Sequence, residues 1–132
     1  MKIVMDSNIF VSSFFWGGNP RYVFDRVING LDESFTNEQI LKEIESVMNS
    51  RKFSVNSNEI QDYIKIIRKY SKIIDSKEIP KDISRDNDDN KILQCGFDGN
   101  VDFIITGDKD LLVLIEYEKI KIMKPRDYLE IM

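Results

Sequence analysis

Short apolar runs alternate with longer amphipathic stretches along the chain, and this alternation predicts strands separated by helices. Ile3, Val4 and Met5 form an uninterrupted apolar run, which is typical of a strand buried on both faces of a parallel sheet. Further short strands are predicted at 34–36, 73–74, 101–106 and 120–123. Strands that alternate with helices form a parallel sheet with helices on both sides, so we expect an α/β fold.

End signals and periodicity predict the helices. Asn19 before Pro20 is typical of a helix start, with Asn19 as the N-cap. Thr36 and Gln39 have the spacing of a capping box, which predicts a helix that extends to about Ser50. Further helices are predicted at 58–71, from about 88 onward, and after 125.

Length and composition indicate one globular domain over residues 1–132, with 42% apolar and 32% charged residues. The net charge of −4 argues against a passive binder of phosphate backbones, which needs a surplus of Lys and Arg. The sequence contains one cysteine, Cys95, and no histidine. An internal disulfide, a zinc site of cysteine and histidine, and hydrolysis by a histidine-containing triad are therefore excluded.

Two further features concern the cellular setting. The apolar run before Asp6 is too short for a signal peptide, and no stretch approaches the roughly 20 apolar residues of a membrane helix. We therefore expect a cytoplasmic protein with no membrane partner. Because histidine is missing, any metal here is expected to be held by oxygen, as Mg²⁺, Mn²⁺ and Ca²⁺ are.

Acidic residues follow two of the predicted buried strands. Asp6 comes directly after 3–5, and Asp108 follows 101–106. Parallel strands end at the same edge of a sheet, which is where open α/β sheets bind ligands, so these carboxylates are expected to meet. The alternative for Asp6 is that it only caps the following turn. Asp110 either joins the same cluster or caps a helix at Leu111.

More acids lie on predicted helices. The helix that begins near Asp88 places Asp89 in line with its apolar stripe, which is costly unless something pairs with the carboxylate. Asp86 falls nearby if it is helical. Glu43 lies at the margin of an apolar helix face, either beside the core or pointing into a cleft.

Carboxylates that converge in this way repel one another and raise each other's pKa. Divalent cations make such a cluster stable at neutral pH. The chemistry that needs them is metal-assisted hydrolysis of a phosphodiester, in which the metal activates water and neutralises the phosphate.

Four segments in order resemble the successive motifs of PIN-domain ribonucleases. They read M-D-S-N, T-N-E-Q-I-L-K-E-I, R-D-N-D-D-N-K-I-L and I-I-T-G-D-K-D-L-L, and the resemblance extends over 3–129. The branch most similar to this chain comprises toxins of toxin–antitoxin pairs. The resemblance implies a three-layer α/β/α sandwich whose parallel sheet of about five strands has the order 3-2-1-4-5. It also implies cleavage of single-stranded RNA with Mg²⁺ or Mn²⁺.

The resemblance also assigns roles to individual residues. The four acids of the family's catalytic and metal-binding site correspond to Asp6, Glu43, Asp89 and Asp108. It further implies a homodimer and an inhibitory antitoxin protein that covers the acidic site. We consider 14–16, the F-F-W segment, as a core or dimer surface.

Other residues have accessory roles in the same comparison. Asp86 and Asp110 are possible additional ligands, and Asn8 and Thr106 correspond to polar residues that support the acids by hydrogen bonds. Asn87 stands where this branch often has proline.

Lysine and arginine recur at helical spacing on the predicted helix 58–71, which indicates one basic stripe. Its residues are Lys65, Arg68, Lys69 and Lys72. The stripe is either a solvated helix face or a guide for RNA.

Two other functions stay open on the residues alone. One is a PIN-like module that binds a protein without catalysis. The other is a phosphoaspartyl phosphatase or receiver-like switch with Asp6 as the nucleophile or phosphate acceptor, although Asn8 replaces the second acid that such a phosphatase uses.

Overall fold

The computed structural model describes residues 1–50, 55–75 and 87–132, with the side chains of 87–89 excepted. Its described strands are β1 (Lys2–Met5), β2 (Glu33–Thr36), β3 (Ser71–Ile73), β4 (Phe103–Ile105), β5 (Glu116–Tyr117) and β6 (Ile120–Met123). Its described helices are α1 (Ser7–Phe15), α2 (Gly18–Ile28), α3 (Glu38–Ser50), α4 (Ser57–Tyr70), α5 (Asn87–Asp98), α6 (Lys109–Leu112) and α7 (Pro125–Ile131).

The strands form one sheet in the order β3-β2-β1-β4-β6-β5. All neighbouring strands pair in parallel except β5, which pairs antiparallel with β6. The predicted α/β class and parallel strand order are confirmed, with β6 in the fifth place. The unpredicted β5 has only two residues, too few to show a strand period in the sequence.

The central strand β1 accounts for the position of the core. Ile3, Val4 and Met5 have no exposed surface, as the uninterrupted apolar run predicts. Helix α5 packs directly on β1, β2 and β4, while α1 packs on α2 and α3. A side chain at Gly96 of α5 would place its Cβ 3.1 Å from Ile104 of β4, so glycine permits this close contact.

Two predicted helix starts are wrong. Helix α2 begins at Gly18 with Gly17 as its N-cap, rather than at Asn19, because Gly17 adopts the positive φ of 72° that the entry to the helix requires. The cap of α3 is Asn37, whose Oδ1 accepts a hydrogen bond from the Ile40 backbone N–H at 2.8 Å. Thr36 is instead the last residue of β2.

Helix α1 is the main element that the sequence pattern did not predict. Five of its nine residues are buried, and two of these, Ser7 and Ser13, are polar. The apolar positions therefore give no clear helical stripe. No helix among the described residues is long and apolar enough to cross a membrane.

Candidate functional site at the carboxyl edge of the sheet

Asp6 lies at the carboxyl end of the central strand, where its backbone N–H donates to the Ile105 carbonyl at 2.9 Å. Its side chain is buried, with 5% of the residue exposed. Oδ2 accepts a hydrogen bond from the Thr106 hydroxyl at 2.7 Å, and Oδ1 accepts one from Ser7 at 3.3 Å. Although Asp6 occupies the N-cap position of α1, its side chain makes no capping hydrogen bond there. The geometry therefore favours a role for Asp6 in the acidic site over a role as a helix cap.

Glu43 reaches this site from α3. Its Oε2 accepts a hydrogen bond from Ser7 Oγ at 2.8 Å and lies 2.5 Å from the Lys91 ammonium. Ser7 thus bridges Glu43 and Asp6. The Glu43 side chain is partly exposed and contacts Ser7 and Lys91, rather than packing in the apolar core.

Asp108 approaches from the other side, after β4. Its backbone N–H donates to Thr106 Oγ1 at 3.0 Å, so one hydroxyl links Asp108 to Asp6. Asp108 Oδ1 accepts from the Asp110 backbone N–H at 2.9 Å and caps α6. The residue that caps this short helix is therefore Asp108, and Asp110 lies within its first turn.

The environment of Asp6 disfavours its negative charge. Burial raises the pKa of Asp6, the hydrogen bond from Thr106 opposes that rise, and the negative charges of Glu43 and Asp108 add to it. The buried Asp32 at the opposite edge of the sheet is a contrast. Burial alone would raise the pKa of Asp32, but Arg26, 2.8 Å away, together with Tyr128 and the chain N-terminus, holds the pKa below its usual value.

The remaining predicted acids are placed by the backbone alone. Asp89 lies in the first turn of α5, the helix that packs on β1, and its side chain is outside the described residues. Asp86 lies outside them altogether. The side chain of Asn37 donates to the Lys91 carbonyl at 3.3 Å and ties this end of α5 to the start of α3.

The structure distinguishes the two predicted supporting residues. Thr106 hydrogen-bonds to Asp6, whereas Asn8 is exposed and lines a groove beside Asp108. Sequence reasoning missed Ser7 and Lys91. The position of Ser7 directly after Asp6 was an available signal, but nothing in the sequence distinguishes Lys91 from the other lysines.

The donors gathered here suit a hard divalent cation. Asp6, Glu43 and Asp108 offer only oxygen, the ligand preferred by Mg²⁺ and Mn²⁺. A cation beside Asp6 would also offset the burial that disfavours its charge. Among the side chains that the structure describes, no group of three acidic, cysteine or histidine residues is close enough to hold an ion by itself. The described carboxylates fit a metal in the type of their donor atoms.

The predicted basic stripe is not a single helix face. Helix α4 ends at Tyr70, and Lys72 lies on β3 opposite Phe35 because the chain becomes extended there. Lys72 pairs with Glu33 at 3.9 Å. Arg68 binds both carboxylate oxygens of Glu38, at 2.6 and 2.7 Å. Lys65 and Lys69 remain exposed on α4.

This fold and site define an α/β protein with an acidic site at the carboxyl edge of a parallel sheet. The chain belongs to the PIN domain family, whose model matches residues 2–110. The resemblance in the four sequence motifs is thereby confirmed.

Comparison with solved structures supports the same fold. The crystal structure of VapBC2 from Rickettsia felis, bound to a DNA fragment from their promoter, contains a similar chain with a TM-score of 0.66. The two share 14% sequence identity, and the match covers 92% of this chain and 97% of the other. No curated protein sequence matches the chain.

Proposed function

We propose that this PIN-domain protein is an endoribonuclease that hydrolyses phosphodiester bonds of single-stranded RNA with Mg²⁺ or Mn²⁺. The observation that carries the proposal is the Asp6 carboxylate, buried at the carboxyl edge and set between Glu43 and Asp108. A protein gains nothing in stability from a buried carboxylate whose acidic neighbours disfavour its charge. A function that brings a cation to this point accounts for its presence.

Each site residue has a role in this proposal. Asp6, Asp89 and Asp108 would hold the metal, and Glu43 orients the attacking water or contributes to a second metal. The metal supplies activation of water and neutralisation of the phosphate charge. Thr106 fixes the Asp6 carboxylate by a hydrogen bond to Oδ2, and the single hydroxyl proton of Ser7 is shared between Glu43 at 2.8 Å and Asp6 at 3.3 Å.

Lys91 has a further role here. Its ammonium lies 2.5 Å from Glu43 Oε2, and 13% of its side chain is exposed. This ion pair fixes the direction of the Glu43 side chain beside Asp6. We therefore place Lys91 among the positioning residues of the site.

The same proposal includes the protein's binding partner, its oligomeric state and its cellular location. VapBC2 of Rickettsia felis was crystallised with promoter DNA. By analogy with that complex, we propose that this chain is the cytoplasmic toxin of a toxin–antitoxin pair and that an antitoxin covers the acidic site. We place a homodimer contact around Trp16, which is 57% exposed next to the half-buried Phe14 and Phe15.

Cleavage of a fluorescent single-stranded RNA by purified protein tests the activity. We compare Mn²⁺, Mg²⁺ and EDTA, using the wild-type protein and the variants Asp6→Asn and Asp89→Asn. Asp62→Asn is the control with the same change of charge, since Asp62 is exposed on α4. We expect cleavage only with metal, a loss of about 100-fold or more in both site variants, and an unchanged rate in the control.

Other results point elsewhere. Cleavage that survives in Asp6→Asn and Asp89→Asn would reject these site residues. If the folded wild-type protein cuts no RNA with either metal, the proposed activity fails and the non-catalytic binding module becomes the better hypothesis.

A further inference from the structure

A groove lies directly beside the acidic site, between the start of α1 and the start of α7. It has a volume of about 460 Å³, within the range of roughly 300–1,000 Å³ that small-molecule pockets span. We call it the basic groove because two cationic side chains, Lys124 and Arg126, line it. Asn8, Asn19 and Asp108 also line it.

Strand pairing makes this groove continuous with the acidic site. The Thr106 backbone N–H donates to the Met123 carbonyl at 3.0 Å, and the Thr106 hydroxyl donates to Asp6. Lys124, the residue after Met123, is therefore one strand away from Thr106, and neighbouring strands lie about 4.8 Å apart. Asp108 belongs to both places, since it contributes to the charge around Asp6 and lines the groove.

The β6 side of the carboxyl edge carries two exposed cations, Lys124 and Arg126. On the β3 side, Glu38 and Asp75 line a smaller cavity of about 270 Å³, and Arg68 binds the carboxylate of Glu38. A polyanion at the acidic centre is therefore attracted towards Lys124 and Arg126.

We propose that the basic groove binds the RNA segment on one side of the bond that is cut. This inference rests on the proposed function. It specifies that the bound RNA strand extends from the acidic site towards the β6 side of the sheet. Lys124 and Arg126 contact the phosphates of that segment. Asn8 and Asn19 present exposed amide groups, which can donate to and accept from the edges of an unstacked base.

Single-stranded RNA suits the groove better than a protein loop on charge. The overall charge of the chain is −4, so most of its surface does not attract anions. Lys124 and Arg126 are two cations side by side, and they attract an anionic strand to this groove. Arg126 also lies 3.3 Å from Glu130 on the exposed side of α7, where its side chain is 77% exposed. An exposed ion pair of this kind is weak and yields readily to a phosphate.

Binding without cleavage is the decisive measurement. Fluorescence anisotropy of a labelled single-stranded RNA is recorded in EDTA for the wild-type protein and for the double variant Lys124→Gln/Arg126→Gln. The matched control is Lys65→Gln/Lys69→Gln, which removes two exposed cations from α4. Thermal midpoints of all three proteins verify that each is folded.

We expect the groove variant to weaken RNA binding about 10-fold and the α4 control to leave it within twofold of the wild type. The slope of log K against log salt should fall by about 1.4 in the groove variant, since each phosphate contact on a single strand contributes about 0.7. With metal present, the same variant should raise KM with little change in kcat, because it loses binding remote from the reacting bond.

The outcomes separate this inference from the proposed function. If the groove variant binds RNA like the wild type while the wild-type protein cuts RNA, the groove is not the RNA site and only this inference fails. If RNA binding falls in the groove variant but no metal supports cleavage, the activity fails and the RNA site stands. A loss confined to the α4 variant would transfer the role to Lys65 and Lys69 and reject the groove.

Discussion

At the residue scale, the proposed role of Asp6 and the stability of the protein make opposite demands. The Asp6 carboxylate is buried and has the charges of Glu43 and Asp108 nearby, so its ionised form is disfavoured in the free protein. Thr106 and Ser7 supply hydrogen bonds that only partly offset this cost. The free protein should therefore be more stable without the charge.

Asp6→Asn tests this trade-off through stability alone. The amide can keep the hydrogen bond from Thr106 and removes the buried charge, so we expect the unfolding free energy in EDTA to rise by about 0.5–2 kcal/mol. Mn²⁺ at 100 times its Kd should stabilise the wild-type protein by about 2.7 kcal/mol and the variant far less. Thermal melts with and without Mn²⁺ measure both effects.

The exposed Asp62→Asn serves as the comparison for these melts and should behave like the wild type. If Asp6→Asn keeps the full stabilisation by Mn²⁺, then Asp6 is not a ligand. If it also lowers stability in EDTA, Asp6 is a structural residue.

Cys95 gives a second prediction at the residue scale, on pH. Burial raises the pKa of its thiol to about 12, with a smaller contribution from Asp98. The thiol ionises near pH 8.5 in the unfolded chain, so stability is complete below that pH and falls as the pH rises towards 12. From about pH 8 to 10 this group alone should remove about 2 kcal/mol.

Urea unfolding of the wild-type protein and Cys95→Ala at these pH values isolates the effect. The alanine variant starts from a lower stability, since it leaves a small cavity. The difference between the two proteins should shrink by the stated amount at the higher pH. A constant difference would show that the thiol titrates alike in both states.

The residue scale also shows what a sequence reveals of a site. Asp6 and Asp108 were predictable because each follows a buried apolar strand, and parallel strands end at one edge. Lys91 was not predictable, since its role depends on α5 approaching α3 closely enough for its ammonium to meet Glu43. Contacts between elements distant in the chain leave no local pattern.

At the scale of single elements, the two neighbouring residues at the start of α3, Thr36 and Asn37, have different roles. Asn37 Oδ1 accepts from the Ile40 backbone N–H, whereas the Thr36 hydroxyl is buried with no hydrogen-bond partner among the described residues. Asn37→Ala should therefore cost about 1 kcal/mol of unfolding free energy. Thr36→Val should be neutral or stabilising. Chemical denaturation of both variants gives these values.

Asn37→Asp is the control, because aspartate keeps the capping oxygen and should retain most of the stability. The capping box read from the sequence makes the opposite prediction, in which Thr36→Val costs more than Asn37→Ala. That result would reassign the cap to Thr36.

Elements differed in how well the sequence predicted them. Strands β1 and β6 and helix α4 were found within a residue or two, since their apolar positions recur with one clear period. Helix α1 was missed because it is buried on several sides and carries buried serines. Because both apolar and polar positions of α1 are buried, its sequence shows no clear helical period of hydrophobic residues.

At the scale of the whole molecule, the sheet order predicts how protection from exchange is distributed. The β1 residues Ile3 to Met5 are fully buried between β2 and β4, whereas β5 is a two-residue edge strand. In native-state hydrogen exchange, amides of β1 and β4 should exchange only through global unfolding. Amides of 116–119 should exchange at least about 100-fold faster, through local opening.

Amide exchange followed by NMR provides the test, with the α4 helix as an internal reference of intermediate protection. Equal protection in β1 and β5 would contradict the prediction, since it would require the edge hairpin to open only with the central strands.

The hydrogen bond between Thr106 and Asp6 joins residues 100 positions apart. A ribosome adding about 5–20 residues per second makes Asp6 roughly 5–20 seconds before Thr106. During that interval Asp6 is an ordinary solvated carboxylate, and Lys124 is not yet made. Translation that stops before β4 therefore leaves a fragment without the assembled acidic site. Under the proposed ribonuclease function, the order of synthesis itself delays activity until nearly the whole chain has been made.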